Sequence, residues 1–247
     1  MSRVAAVTGG ASGMGLSISE HLARRGHRVA ILDVNGDLAH QAAEGLQESG
    51  AKAMACAVDV SHRAAVDEAL AKVRAEFGPV EVMVTSAAVA PFHPFTEITL
   101  ESWHRVLAVN LTGTFHCLQA AIPDMVTADW GRIVTITSSA AQIMTPNHAH
   151  YAASKGGVIT LTRAIAFEYA RQGITANTIA PHMIDTPMYR QARVEIGDPT
   201  GDGGASRIPV GRLGTGDDIA AACLYLCSEE ASYITGQLFG VNGGAIP

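Results

Sequence analysis

Tyr151 and Lys155 stand four residues apart in Tyr151-Ala152-Ala153-Ser154-Lys155. On a helix that spacing puts a phenol and an ammonium on one face, close enough to interact. A cation beside a phenol favours phenolate and lowers its pKa toward working pH, which suits an acid/base catalyst. The chain has only five tyrosines and three lysines (Lys52, Lys72, Lys155), so a chance pairing is a weak explanation. The plain alternative is an ordinary surface pair on a helix.

A second constellation lies near the N-terminus, in Thr8-Gly9-Gly10-Ala11-Ser12-Gly13-Met14-Gly15. Gly9, Gly13 and Gly15 permit a tight turn and a close approach of backbone to a pyrophosphate. The helix that follows would aim the free N–H groups around Ser12, Gly13 and Met14, and its positive dipole end, at the phosphates. Eighteen residues past Gly15, Asp33 closes the next apolar run. A carboxylate there can accept hydrogen bonds from the adenosine ribose hydroxyls and repels a 2′-phosphate. The alternatives are an ordinary glycine-rich turn and a solvated carboxylate or helix cap.

These groups need a frame, and the apolar pattern supplies one. Short, mostly β-branched runs at 4–7, 28–32, 53–58, 80–84, 132–136, 174–179 and 237–241 alternate with stretches of helical period. Nearly continuous apolar runs are typical of parallel strands covered on both faces, so the expectation is a doubly wound α/β sheet of seven parallel strands. Gly26, Gly50, Gly78-Pro79 and Gly173 are placed to end the intervening helices. The region 188–216 is rich in breakers, notably over 197–204, and is expected to form a mobile lid.

Composition narrows the function classes. With 48% apolar and 16% charged residues, 247 residues can bury one large core. An excess of acidic over basic residues, 23 against 17, argues against binding to nucleic acid or an anionic membrane by charge. No apolar segment approaches the ~20 residues that span a bilayer. Cys56, Cys117, Cys223 and Cys227 form no CxxC pair, which fits a reducing, cytoplasmic compartment and no metal site. Cys223 and Cys227, four apart on an expected helix, read as core packing rather than metal ligands.

The Gly-x-x-x-Gly-x-Gly turn, the chain length and the Tyr-x-x-x-Lys motif together resemble the short, single-domain branch of the short-chain dehydrogenase/reductase family. The resemblance implies a Rossmann-type domain over 1–247 and an oxidoreductase acting on CH–OH groups. Ser138, thirteen residues before Tyr151, stands where the family places its catalytic serine, with Ser139 as the fallback. Asn110, in Val109-Asn110-Leu111-Thr112-Gly113, matches the family's proton-relay position behind the lysine. Asp59-Val60 matches its adenine-contacting pair. Pro181, Ile184 and Thr186 fall on its Pro-Gly-x-x-x-Thr segment, which fixes the nicotinamide carboxamide.

By the same resemblance Ser138 holds the substrate oxygen and Tyr151 transfers the proton. Lys155 keeps the phenol acidic and binds the nicotinamide ribose, and Asn110 supports the relay. NADP-preferring members usually carry a basic residue where this chain has Ser12 or Val34, so NAD is expected over NADP.

Two departures from the family pattern stand out. His182 replaces the glycine after Pro181, and is either a tolerated loop residue or a histidine lining the substrate pocket. Thr85-Ser86-Ala87-Ala88 replaces Asn-Asn-Ala-Gly, which leaves the backbone contacts of Ser86 and Ala87 to the coenzyme possible but removes the asparagine hydrogen bonds across the sheet.

The expected substrate-pocket segments 90–95, 142–148 and 183–208 mix aromatic, Met and His side chains and lack clustered arginines. An apolar secondary alcohol or ketone is therefore expected: hydroxysteroid-like, cyclic or 3-oxoacyl. The family habit implies a homotetramer built on the helices carrying Asn110 and Tyr151. A non-catalytic dinucleotide-sensing regulator is the chief alternative, but it has no need of Ser138, Tyr151 and Lys155. A sugar-nucleotide epimerase would have a longer C-terminal part, and a structural protein explains none of these spacings.

Overall fold

The computed structural model describes residues 2–143, 146–195, 197 and 202–246. The seven apolar runs become β1 (Val4–Thr8), β2 (Arg28–Asp33), β3 (Ala53–Ala57), β4 (Val82–Thr85), β5 (Gly131–Ile136), β6 (Ile174–Pro181) and β7 (Leu238–Val241). They form one sheet in the order β3-β2-β1-β4-β5-β6-β7, with every neighbouring pair parallel. The expected doubly wound, Rossmann-type α/β architecture is the one observed.

The helices are α1 (Gly13–Arg24), α2 (Gly36–Glu48), α3 (Arg63–Phe77), α4 (Leu100–Leu107), α5 (Gly113–Thr127), α6 (Ala149–Tyr169), α7 (Pro187–Glu195) and α8 (Gly216–Leu226). Alternation along a strand divides each apolar run between two cores. Ala5 and Val7 of β1 pack with Ile18 and Leu22 of α1, Ala39 of α2, and Ile219 and Cys223 of α8. Val4 and Ala6 face the other layer, where Leu70 of α3, Leu118 and Met125 of α5 and Ile165 of α6 close over the sheet. Both faces are covered, which is why the strands read as unbroken apolar runs. Cys223 and Cys227 belong to the first of these cores.

β1 lies between β2 and β4, so the chain winds outward through β2 and β3 and then crosses back to the other side of β1. Such a switch leaves a crevice beyond the C-terminal ends of the central strands. The Thr8 hydroxyl ties the two sides of it together, accepting from the backbone N–H of Ser86 at 3.1 Å and of Ala87 at 3.3 Å. Thr85, which stands where the family has an asparagine, has a buried hydroxyl with no partner among the described residues. The cross-sheet bond is therefore lost, as expected.

The expected lid region holds a regular helix, α7, and a 3-10 turn at Ala205–Arg207. It is tied back by a parallel bridge between Ile184 and Gly214. Residues 196 and 198–201 of this region lie outside the described residues, as do Met144 and Thr145 of the expected pocket wall.

Candidate active site

The glycine-rich turn is built as the sequence requires. Gly9 has φ +63°, and a Cβ there would lie 2.9 Å from the Cα and N of Ala87. A Cβ on Gly15 would drive into the Gly9 carbonyl, so the turn closes only without side chains at these two points. The result is a cleft of about 420 Å³ lined by Gly9, Ser12, Gly13, Met14, Asp33, Val34, Asp59, Val60, Ser86, Ala87 and Thr186, among others. Gly15 is not in its wall; it lets the wall form.

Asp33 is held from both sides. One carboxylate oxygen accepts from Ala11 N–H at 3.2 Å and the other from Asn35 N–H at 3.0 Å. Asn35, not Asp33, caps α2 by accepting from Leu38 N–H at 3.1 Å, which frees Asp33 to face the cleft. Asp59 accepts from the backbone and hydroxyl of Ser61, and that hydroxyl leads the interactions holding its carboxyl below the usual range. Thr186 caps α7 through Tyr189 N–H at 3.2 Å and closes the cleft near Gly13. Pro181 ends β6, and the Ile184 side chain turns to a neighbouring pocket.

The residues expected to transfer the proton meet where β5 ends and α6 begins. Tyr151, Ser154 and Lys155 are buried on the inner face of α6. Lys155 Nζ donates to the Ile136 carbonyl at 2.9 Å and lies 5.6 Å from the centre of the Tyr151 ring. Ser138 stands near enough to the Tyr151 phenol to draw its pKa down against burial, and its hydroxyl accepts from Ala140 N–H at 3.1 Å. Ser139 is committed elsewhere: its hydroxyl pairs with His182 Nδ1 at 2.8 Å. Ser139 is thus taken up by His182, and Ser138 is the serine left beside the phenol.

The electrostatics differ from the expectation drawn from spacing. In the chain alone burial raises the Tyr151 pKa, with the Ser138 bond pulling the other way, while burial lowers Lys155 to about 8. The ammonium is desolvated along with the phenol and is directed at Ile136, so its effect on Tyr151 does not outweigh burial.

Asn110 occupies a single π-helical turn, Ala108–Thr112, between α4 and α5. Such turns are frequent at functional sites. Its amide clamps the loop after β4, accepting from Val89 N–H at 2.9 Å and donating to Val89 O at 3.0 Å and to Ser154 Oγ at 3.0 Å. Ser154 in turn donates to the Tyr151 carbonyl at 2.7 Å. Its side chain therefore reaches Tyr151's helix through Ser154 and makes no contact with Lys155.

His182 lines a separate pocket of about 230 Å³ with Ile208, Val210 and Asn242.

Sequence reasoning gave no role to Thr8, Ser154 or His150, and placed His148 only within an expected pocket wall. His148 stacks on Tyr151, with ring centres 4.7 Å apart. His150 is fully buried, and neither ring nitrogen has a partner among the described residues. The only available signal was His-x-x-Tyr-x-x-x-Lys, which repeats the helical face one turn earlier.

Burial lowers the pKa of both His148 and His150. The unfolded chain then takes up protons first as the pH falls below about 6.5. Stability tied to the neutral rings is present above that pH and lost on acidification. Thermal midpoints read from pH 7.5 down to 5.5 are expected to fall, and His150→Leu to flatten the fall; a midpoint independent of pH would contradict this.

The family model described as enoyl-(acyl carrier protein) reductase matches residues 9–245. The chain belongs to the short-chain dehydrogenase/reductase family. Among its relatives, D-threitol dehydrogenase of Mycolicibacterium smegmatis is 38% identical over 242 residues, covering 98% of this chain and 92% of that one. Cis-4-hydroxycyclohexanecarboxylate dehydrogenase of Sinomonas cyclohexanicum is 36% identical over 243 residues, covering 98% and 96%. A crystal structure of an actinorhodin polyketide ketoreductase variant with NADPH superposes with a TM-score of 0.94 at 32% identity, covering 99% of this chain and 97% of that one.

Membership makes the chain an oxidoreductase of alcohol or ketone groups, from a family that binds a nicotinamide cofactor. The cleft fits such a group: the Gly9 cradle tolerates no Cβ, and eleven of the residues expected or weighed for coenzyme contact converge on its wall. No helix among the described residues is long and apolar enough to cross a membrane.

Proposed function

We propose that the chain interconverts a secondary alcohol and its ketone with NAD. The observation that carries the reading is the burial of Tyr151 and Lys155 on one face of α6, beside Ser138 just after β5, at the C-terminal ends of the strands where the coenzyme cleft also lies. Ser138 holds the substrate oxygen, and Tyr151 gives or takes its proton. Lys155 presents an ammonium to the nicotinamide ribose and, once that contact turns it toward the phenol, favours the phenolate. Asn110 keeps Val89 and, through Ser154, the Tyr151 backbone in register. The nicotinamide, when bound, supplies the hydride acceptor or donor.

NAD is favoured because Asp33 cannot swing aside for a 2′-phosphate: both its oxygens are held by backbone N–H groups. The double variant Asp33→Ala, Val34→Arg is expected to shift the ratio of kcat/KM for NADP over NAD by about 100-fold, since it replaces a like-charge clash with a phosphate partner. Unchanged coenzyme preference would remove Asp33 from this role.

The substrate is an apolar secondary alcohol or ketone, cyclic alcohols included. A cleft of about 640 Å³ between α4 and α7 offers an apolar wall of Ala88, Val89, Pro91, Val106 and Met188, alongside the charged Glu101, Arg105 and Glu195. The relative that acts on a hydroxycyclohexane acid points the same way. Met188, Gln191, Ala192 and Glu195 of α7, within the expected lid region, form one side of that cleft. Exposed Phe115 on α5 and Phe167 on α6 support a homotetramer, and four free cysteines support a cytoplasmic setting. Absorbance at the reduced-nicotinamide band, on mixing the protein with NAD or NADP and a panel of cyclic and steroid alcohols, tests the whole reading; no reduction with any of them would sink it.

A further inference from the structure

His148 precedes Tyr151 by three residues and occupies the N-cap position of α6 without a side-chain capping bond. Its ring is gripped on two sides, stacked on Tyr151 at 4.7 Å between centres and on Phe92 at 3.8 Å. Nε2 lies 3.2 Å from the Ala90 carbonyl oxygen. A carbonyl can only accept, so Nε2 carries the hydrogen. Burial holds the ring neutral, and the lone pair is therefore on Nδ1. Nδ1 has no partner among the described residues, yet it is not among the fully buried orphan atoms that include both nitrogens of His150. A fixed hydrogen-bond acceptor thus stands within reach of solvent beside the phenol.

We propose that His148 is a specificity-determining residue: Nδ1 accepts a hydrogen bond from a hydroxyl on the carbon next to the reacting one, selecting vicinal diols and α-hydroxy ketones over simple alcohols and ketones. This rests on the reading of Tyr151 as the proton donor to the substrate oxygen. Two oxygens on adjacent carbons sit about 3 Å apart, one hydrogen-bond length, so a substrate oxygen held by Tyr151 carries its neighbour toward the stacked imidazole. A simple alcohol leaves Nδ1 facing an apolar carbon, and sites built to bond a hydroxyl discriminate against analogues that lack it. The ring cannot turn away, because Phe92, Ala90 and Tyr151 fix it together. The preferred substrate is then an apolar body bearing one further hydroxyl beside the reacting carbon.

The test is the ratio of kcat/KM for 1,2-cyclohexanediol over cyclohexanol with NAD. The wild-type ratio is expected to be about tenfold or more, as one added hydrogen bond gives. His148→Phe keeps a stacking ring but no acceptor and should bring the ratio close to unity; His148→Gln restores an acceptor and should recover most of it. Equal use of the two alcohols by the wild type, or an unchanged ratio in His148→Phe, overturns the proposal. If a variant does not turn over, the same comparison is read as the thermal shift that each alcohol gives its NAD complex. A wild-type NAD complex stabilised by the diol alone, with neither alcohol oxidised, would keep the His148 assignment and sink the proton-transfer reading instead.

Discussion

Tyr151→Phe is expected to lower kcat by about 10³-fold while NAD still binds. The substitution removes one hydroxyl and keeps the ring, so the stack on His148 and the packing beside Lys155 persist. What is lost is the group that exchanges a proton with the substrate oxygen, and general acid–base catalysis of this kind contributes roughly 10²- to 10⁴-fold. Turnover followed by nicotinamide absorbance, together with a coenzyme Kd from fluorescence, separates the two effects. A variant with near-normal kcat would take the phenol out of the mechanism, and one that had lost NAD as well would point to a folding defect instead.

Gly15→Ala should be nearly as damaging for a different reason. Its Cβ would enter the carbonyl oxygen of Gly9, which is backbone and cannot move without carrying the turn with it. Overpacking of this kind costs about 1–3 kcal/mol, and here the strain falls on the segment that must lie against the pyrophosphate. The expected outcome is a lower thermal midpoint and a Kd for NAD raised about 100-fold or more. Gly45→Ala is the control. Gly45 is exposed within α2, and a Cβ there meets nothing within 4 Å. That change should stabilise by about 0.5–1 kcal/mol, the usual gain in a helix interior, and leave coenzyme binding alone. If the two variants behaved alike, the close packing at Gly15 would not be what shapes the cleft.

The candidate site was legible where function depends on local spacing. A phenol and an ammonium one helical turn apart, three glycines in a strand-to-helix turn, and a carboxylate ending the next strand all announce themselves within a few residues. The fold was legible for a related reason: strands covered on both sides must be apolar throughout, so the seven runs at the sequence level are the seven strands of the sheet. The fallback serine shows where such reading stops. Ser138 and Ser139 are neighbours of the same type, and only the position of His182, forty-three residues further along, decides which hydroxyl is left for the phenol.

Asn110 makes the same point, since its partners Val89 and Ser154 are twenty-one residues before it and forty-four after. By itself the amino-acid order determined the architecture, the glycine-rich turn and the pairing of Tyr151 with Lys155 on one helix face, because each follows from periodicity, backbone sterics or side-chain chemistry over short stretches. Tertiary packing alone decided that burial raises the Tyr151 pKa and lowers that of Lys155, that the His148 ring is held between Phe92, Tyr151 and Ala90, and that His182 pairs with Ser139. Desolvation and long-range hydrogen bonds depend on which distant segments come together, and no local pattern records that.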